Sequence, residues 1–307
     1  MDSPTIPVLS LQAPADSLAA DLGDSFARFG FAIIADHGID ESLIAEGWRL
    51  TEALFALPEA EKRRWFRPEL AGARGYTPFG REIAKGASAH DLKEFWHVGR
   101  EGGEADGLPA NLWPACPEGM RACFTALYDA FDATGMAVLA RIARYLGLAD
   151  DWFEEAASGG NSVLRLLHYP PLPEATGEAI RAGAHEDINL ITLLLGAEEA
   201  GLELLLPDGR WLAIDPPPGA LVVNIGDMLQ RLTNHVLPST THRVRNPEGP
   251  RAGFSRYSMP FFLHPKSAFP IRTLPGCVTT DQPDRYPQPI TAGDYLDERL
   301  REIGLKP

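Results

Sequence analysis

The segment Ala184-His185-Glu186-Asp187 and the distant segment Ser239-Thr240-Thr241-His242-Arg243-Val244 together offer two imidazoles and one carboxylate. That donor set suits a mononuclear non-haem iron(II) centre, because three protein ligands leave positions on the metal open. His185 and Asp187 are two residues apart, so on a strand they project to the same face. His242 comes far enough downstream for the chain to leave and return. A histidine followed two residues later by an acid is, taken alone, a common surface or capping pair. Here apolar Ile188, Leu190, Ile191, Leu193, Leu194 and Leu195 follow it, which puts the pair at the mouth of a buried strand.

A second pair points to an anion. Arg256 and Ser258 are again two apart, so a strand would present a guanidinium and a hydroxyl on one face, a clamp for a carboxylate. The flanking Phe254, Met259, Phe261 and Phe262 predict a mostly buried strand, where an arginine needs a partner. The spacing from His242 allows a turn and an adjacent returning strand. The other histidines fit this picture less well. His37 follows a buried strand in a turn, where a local hydrogen bond is its expected role. His235 reads as a turn or pocket-rim residue, and His264 follows the last strand. His90, His97 and His168 lack an acid two residues on, although His97 can line a pocket.

The elements that must position these groups divide into two textures. Residues 1–160 read as a mixed, mostly helical N-terminal region that packs on the core. It has a short strand over Ile6–Leu11, a helix over Asp16–Arg28 ended by Gly30, and a buried strand at Phe31–Ile34. Further helices are expected over Glu41–Leu57 and Met120–Leu146. Between them, Pro68–Pro114 is irregular, and a stretch of that length without clear elements is either functional or holds elements that its pattern hides. Residues 161–307 read as a β-rich catalytic core with a C-terminal helix over Ala292–Ile303, the two regions together forming one unit. Strands are expected at Ser162–Tyr169, Leu190–Leu195, Leu202–Leu206, Arg210–Ile214, Leu221–Ile225, His242–Val244 and Phe254–Phe262. Turn residues such as Pro207-Asp208-Gly209 and Asn246-Pro247-Glu248-Gly249 separate them, which suggests a sandwich or jelly roll.

Composition narrows the partners. A net charge of −14 opposes a phosphate-binding nucleic-acid surface and an anionic membrane surface, but leaves a small-molecule substrate open. The three cysteines, Cys116, Cys123 and Cys277, form no CxxC pair, so a disulfide framework or thiolate zinc site is not expected. The start, Met-Asp-Ser-Pro, shows no signal peptide, and no apolar run is long enough to span a bilayer. A soluble cytoplasmic protein is the expectation.

Taken in order, these motifs resemble the isopenicillin N synthase-like branch of the iron(II)/2-oxoglutarate-dependent dioxygenases. His185-Glu186-Asp187, His242-Arg243-Val244 and Arg256-Tyr257-Ser258 follow that family's pattern in order and spacing. Gly30-Phe31 through His37-Gly38-Ile39, Arg74-Gly75-Tyr76, Asp91-Leu92-Lys93-Glu94-Phe95 and the segment Pro218–Asp227 match further signatures, so the resemblance covers nearly the whole chain. It implies a mainly β protein with surrounding helices, built on a double-stranded β-helix or jelly-roll core. It implies iron(II) on His185, Asp187 and His242, with 2-oxoglutarate chelating the iron and O2 as the oxidant. The far carboxylate of the cosubstrate would lie on Arg256 and Ser258, with Tyr169 as a further contact.

One position departs from the plant-type pattern. Leu167 stands where an asparagine is expected two residues before the tyrosine, and Arg165, on the same strand face, is a candidate to supply some of the lost polarity. Phe79, Arg81, Phe95, His97 and Asn189 are candidates for the substrate side. The implied reaction is oxidation, foremost hydroxylation, of a small organic substrate with release of succinate and CO2. The residues leave two alternatives open at this point. One is a 2-oxoglutarate-independent iron oxidase or cyclase, in which Arg256 and Ser258 hold a substrate carboxylate. The other is a catalytically silent metal- or ligand-binding module.

Overall fold

Segments such as Phe31–Ala35, Ile191–Leu195 and Leu221–Ile225 are apolar almost throughout, so a strand there must be covered on both faces. The structure, a computed structural model, describes residues 4–81, 91–172, 180–195, 201–247 and 249–302. It opens with β1 (Val8–Ser10), α1 (Ala15–Phe29), β2 (Phe31–Ala35), α2 (Glu41–Phe55) and the short α3 (Glu59–Arg63). β3 (Gly75–Thr77), β4 (Glu94–Gly99), the long α4 (Met120–Tyr145) and α5 (Trp152–Ala157) follow. The second half begins with β5 (Val163–Tyr169), β6 (Ala182–His185), β7 (Ile191–Leu195), β8 (Leu202–Leu205) and β9 (Trp211–Ala213). It continues through β10 (Leu221–Ile225), α6 (Asp227–Leu232), β11 (His242–Val244) and β12 (Arg256–Leu263). β13 (Pro270–Ile271), β14 (Ile290–Thr291) and α7 (Ala292–Glu302) complete it; His90, Glu248 and Ile303 lie outside the described residues.

Eight strands form one sheet in the order β1-β2-β10-β7-β12-β5-β4-β3, and four form a second in the order β6-β11-β8-β9. The pairings within these two sheets are antiparallel except for β1 on β2. This is the sheet-rich jelly-roll core with packed helices that the sequence suggests. The pleat assigns each face. Leu164 and Leu166 of β5, Leu193 of β7, Leu221 and Val223 of β10, and Met259 and Phe261 of β12 bury against α1, α2 and α4. Their neighbours turn the other way. Phe31, Ile33 and Val222 meet Ala182, Leu202, Leu204 and Val244 of the smaller sheet.

Gly30 couples helix and sheet. At φ 68 it ends α1 in the left-handed region, where glycine is unstrained. A Cβ there would stand 2.3 Å from Thr240 Oγ1 and 2.7 Å from the Pro238 carbonyl oxygen, so its bareness lets the segment leading to His242 lie against β2.

Three expectations need correction. The irregular stretch between Pro68 and Pro114 contains β3 and β4, which extend the large sheet beyond β5. Short β3 and the glycines around it hid the alternation. β11 and β12 are not neighbours; they belong to different sheets, because the chain crosses from one to the other between them. Phe254 precedes β12 and is 64% exposed, so it does not contribute to that strand's burial.

β4 is held to the helices by a buried charge cluster. Lys62 Nζ lies 2.7 and 2.8 Å from the two Glu94 oxygens, with side chains only 7% and 6% exposed. Tyr76 Oη also donates to Glu94, and His168 Nδ1 donates to it across 2.7 Å. Burial alone would raise the Glu94 carboxyl, but hydrogen bonds from His168, Lys62 and Tyr76 hold it below the usual carboxylate range. Lys62→Met strips the cation from this site, and breaking a buried pair from one side costs about 3–5 kcal/mol, to be read by denaturant unfolding. Since the native Glu94 pKa lies below the unfolded one, its contribution is complete above the ordinary glutamate range and is lost as pH falls through it. Stability measured from about pH 6 down to about pH 3 should therefore fall less steeply in Glu94→Gln than in the wild type.

Candidate active site

His185, Asp187 and His242 each offer one ligand atom, and these atoms lie within 4.8 Å of one another. His185 is the last residue of β6, and His242 is the first of β11, directly opposite it. Asp187 lies just past the end of β6, so the shared strand face expected for His185 and Asp187 does not occur. The chain turns after His185, and the turn itself swings the carboxylate back. Asp187 Oδ1 is 3.8 Å from His185 Nε2, and Oδ2 is 3.9 Å from His242 Nε2. Two donors each about 2.1 Å from a shared ion are separated by about 3 to 4.2 Å, so these distances fit one metal between them.

Both rings are set for that task. His185 Nδ1 lies 2.7 Å from the Gly183 carbonyl oxygen, and His242 Nδ1 lies 3.1 Å from that of Thr240. A carbonyl can only accept, so each Nδ1 carries the proton and each Nε2 presents a lone pair to the centre. Burial pushes the His185 pKa down to about 4, helped by the neighbouring His242 and opposed by Asp187. The ring is still 36% exposed, because one edge looks into the cavity while protein surrounds the remainder. For Asp187, burial works against ionisation. Positive charge on the His242 and His185 rings when they carry a second proton, with hydrogen bonds from Asn224 and Thr192, holds its carboxyl below the usual range. Thr192 Oγ1 and Asn224 Nδ2 donate to Asp187 Oδ2 at 2.5 and 2.8 Å. Neither supporting residue was singled out from the sequence. Each is a polar side chain inside a buried apolar strand, which is the signal that could have found them.

The same cavity is lined by Arg256, Ser258 and Tyr169. Arg256 and Ser258 share one face of β12 and are 4% and 2% exposed. Tyr169 is the cross-strand partner of Arg256, with the guanidinium carbon 5.2 Å from its ring centre. Leu167, opposite Ser258, packs with Phe95 and Tyr169, so an apolar wall stands where the resemblance implies an amide. Arg165 also faces the cavity. Its guanidinium lies 4.2 Å from the Phe95 ring centre and 5.1 Å from that of Phe262, and its Nε donates to His97 Nε2. His97 Nδ1 in turn donates to the Gly72 carbonyl.

The structure therefore brings Phe95 and His97 beside the cavity, through Arg165, and separates the other substrate candidates from it. Asn189 is buried behind the trio, where Nδ2 donates to Thr192 Oγ1. Phe79 is 45% exposed, and Arg81 lies over the Phe66 ring. His37 makes the expected local contact, accepting from Ile39 N, and His235 pairs with Tyr286 away from the trio.

Comparison with known proteins agrees with this geometry. Residues 160–265 match the 2OG-Fe(II) oxygenase superfamily, and residues 6–116 match the N-terminal region of non-haem dioxygenases in morphine synthesis. A 2-oxoglutarate-Fe(II) type oxidoreductase, hxnY of Emericella nidulans, is 34% identical over 91% of this chain and 82% of its own. The proline hydroxylase buaE of Petromyces alliaceus is 33% identical over 90% of each chain. Among solved structures, a 2OG-Fe(II) oxygenase family protein from Caulobacter crescentus is 51% identical with a TM-score of 0.90, covering 98% of this chain and 100% of its own. A full-length Neurospora crassa protein solved in complex with alpha-KG is 28% identical with a TM-score of 0.86, covering 96% of this chain and 95% of its own.

Asn224→Leu preserves the three donors but removes one hydrogen bond that aims the carboxylate. Loss of such an outer partner lowers metal affinity about 10- to 100-fold. An anaerobic iron(II) or cobalt(II) titration checks this, and wild-type affinity in the variant would show that Asp187 needs no aiming.

Proposed function

The chain belongs to the 2OG-Fe(II) oxygenase superfamily, and from that premise we propose that His185, Asp187 and His242 hold its iron while Arg256, Ser258 and Tyr169 hold 2-oxoglutarate. It is a non-haem iron(II)- and 2-oxoglutarate-dependent dioxygenase acting on a small organic molecule. When bound, iron(II), 2-oxoglutarate and O2 supply the oxidising chemistry, with succinate and CO2 released from the cosubstrate. Substrate hydroxylation is the outcome we propose, in line with a relative named as a proline hydroxylase.

One observation carries the residue assignments: two lone-pair-bearing imidazoles, a carboxylate, and a buried guanidinium with its hydroxyl neighbour all line a single cavity. The residues then have separable tasks. The imidazoles and Asp187 would hold the metal with three donors, a set that leaves room for further ligands. Arg256 and Ser258, both buried, would hold the distal carboxylate of the cosubstrate through charge-assisted hydrogen bonds. Leu167 and Pro260 line the cavity between the clamp and Arg165 with apolar surface. The substrate side lies along Arg165, Phe95 and Phe262, with His97 orienting Arg165. A polar group on the substrate would meet the guanidinium there, and an apolar body would meet the two rings.

Residues 1–160 and 161–307 act in this reading as one catalytic unit, supported by strands of both in the large sheet. No described helix is long and apolar enough to cross a membrane. The three cysteines are thiols and the net charge is −14, which supports a cytoplasmic protein that does not bind nucleic acid.

An anaerobic titration of iron(II) and 2-oxoglutarate, followed by visible absorption, tests the assignments. A weak charge-transfer band that needs both and is lost in His185→Ala is the expected result; iron binding without the band would remove the cosubstrate assignment. In steady-state succinate release, Arg256→Met should raise KM for 2-oxoglutarate roughly 10- to 100-fold, the equivalent of one charged hydrogen bond. An unchanged KM would release Arg256 from that role.

A further inference from the structure

The motif Asp91-Leu92-Lys93 takes no part in the site as described, yet it enters the same cavity. Asp91 and Lys93 are 7% and 8% exposed and form an ion pair of 2.9 Å. Lys93 lines the cavity together with His185, Tyr169 and Arg256. The other Asp91 oxygen accepts the Gly183 N–H at 3.0 Å. Gly183 is also the residue whose carbonyl receives the His185 Nδ1 proton. Leu92 N donates to the Ile180 carbonyl, so the two segments are joined at a further point.

Topology explains why this contact matters. β6 is an edge strand of the small sheet, and among the described residues β11 is its one partner there. Its ladder to β11 is irregular between the His242 and Val244 pairings. The Gly183 N–H therefore meets a carboxylate instead of another strand. Glycine is the residue least able to hold its own φ and ψ. A carboxylate takes that N–H in a charge-assisted hydrogen bond, and Lys93 pairs with the same carboxylate inside the protein.

Building on the reading of His185 as a metal ligand, we propose that Asp91 and Lys93 are a positioning pair for the metal centre. Asp91 fixes Gly183, Gly183 fixes the His185 ring, and Lys93 fixes Asp91 while completing the cavity wall. Their effect on the metal centre runs through Gly183 and the His185 ring. The pair ties the large-sheet side of the cavity to the small-sheet strand that carries His185.

The test uses the full-length protein and cobalt(II) under anaerobic conditions, with affinity and visible ligand-field spectrum as readouts. Asp91→Ala and the milder Asp91→Asn should weaken cobalt affinity about tenfold, at the low end of effects from outer partners of metal-binding histidines. Both should also shift the ligand-field bands. Lys93→Met should do the same to a smaller extent, and Lys93→Arg, which keeps the pair, should restore both. Glu94→Gln is the control: Glu94 follows Lys93 directly but contacts Lys62 and His168 at the start of β4, so the change should lower stability and leave affinity and spectrum unchanged. Wild-type affinity and bands in Asp91→Ala would overturn the proposal, as would equal shifts in Glu94→Gln. Failure of the underlying reading looks different: the wild-type protein would bind no cobalt, or His185→Ala would bind it as the wild type does.

Discussion

A carboxylate buried in a protein interior must be surrounded by groups that favour its charge, or it takes up a proton. Asp187 meets this requirement with neighbours drawn from several parts of the fold. The hydrogen-bond donors Thr192 and Asn224 come from β7 and β10 of the large sheet, and the imidazoles that would share a metal with Asp187 come from β6 and β11 of the small one. The Asp187 carbonyl receives the Asp227 N–H at the start of α6, and Glu186 beside it accepts from Thr241 beside His242. The metal-binding geometry thus exists only where the two sheets close on each other. Anything that separates them leaves a buried negative charge with too few partners.

The pleat gives each strand of the large sheet two functions. On β12, Met259, Phe261 and Leu263 fill the core beneath the helices, while Arg256, Ser258, Pro260 and Phe262 face the cavity. On β5 the split is Leu164 and Leu166 against Arg165, Leu167 and Tyr169. Side-chain direction on these strands is therefore set by the larger energy of the helix-covered core. Slipping either strand by one residue would bury its polar groups under α4 and expose leucine to the cavity. A polar pocket one layer from a large apolar core is in this sense held in register by that core.

The N-terminal region does more than cover the sheet. β4 uses one face to anchor itself through Glu94 and the other to bring Phe95 and His97 to Arg165. The C-terminal segment anchors the opposite side. Asn234, in the left-handed region at φ 51, donates to the carbonyls of Cys277, Gln282 and Pro283, fastening that segment beneath α6. A non-glycine residue in that conformation carries strain, and the cluster of hydrogen bonds around Asn234 offsets it.

Much of this protein is legible from its residues alone. His185, Asp187 and His242 stand out because their types and order specify a donor set, and Arg256 with Ser258 because alternation puts them on one strand face. The strand limits at Leu221–Ile225 and His242–Val244 follow from local pattern, since a short run rich in β-branched residues and bounded by turn residues has to be buried as a strand. Other features depend on contacts between residues distant in sequence, and no local pattern encodes them. That Asp187 reaches the site from a turn, that β11 and β12 lie in different sheets, and that β3 and β4 join the large sheet were decided by tertiary pairing. So were the roles of Thr192, Asn224 and Asp91, whose polar groups have meaning only through the distant atoms they meet. The sequence by itself determined the chemistry available and the faces on which it could appear. The tertiary structure decided which of those faces meet, because a buried charge and an edge-strand N–H are satisfied only by partners that folding delivers.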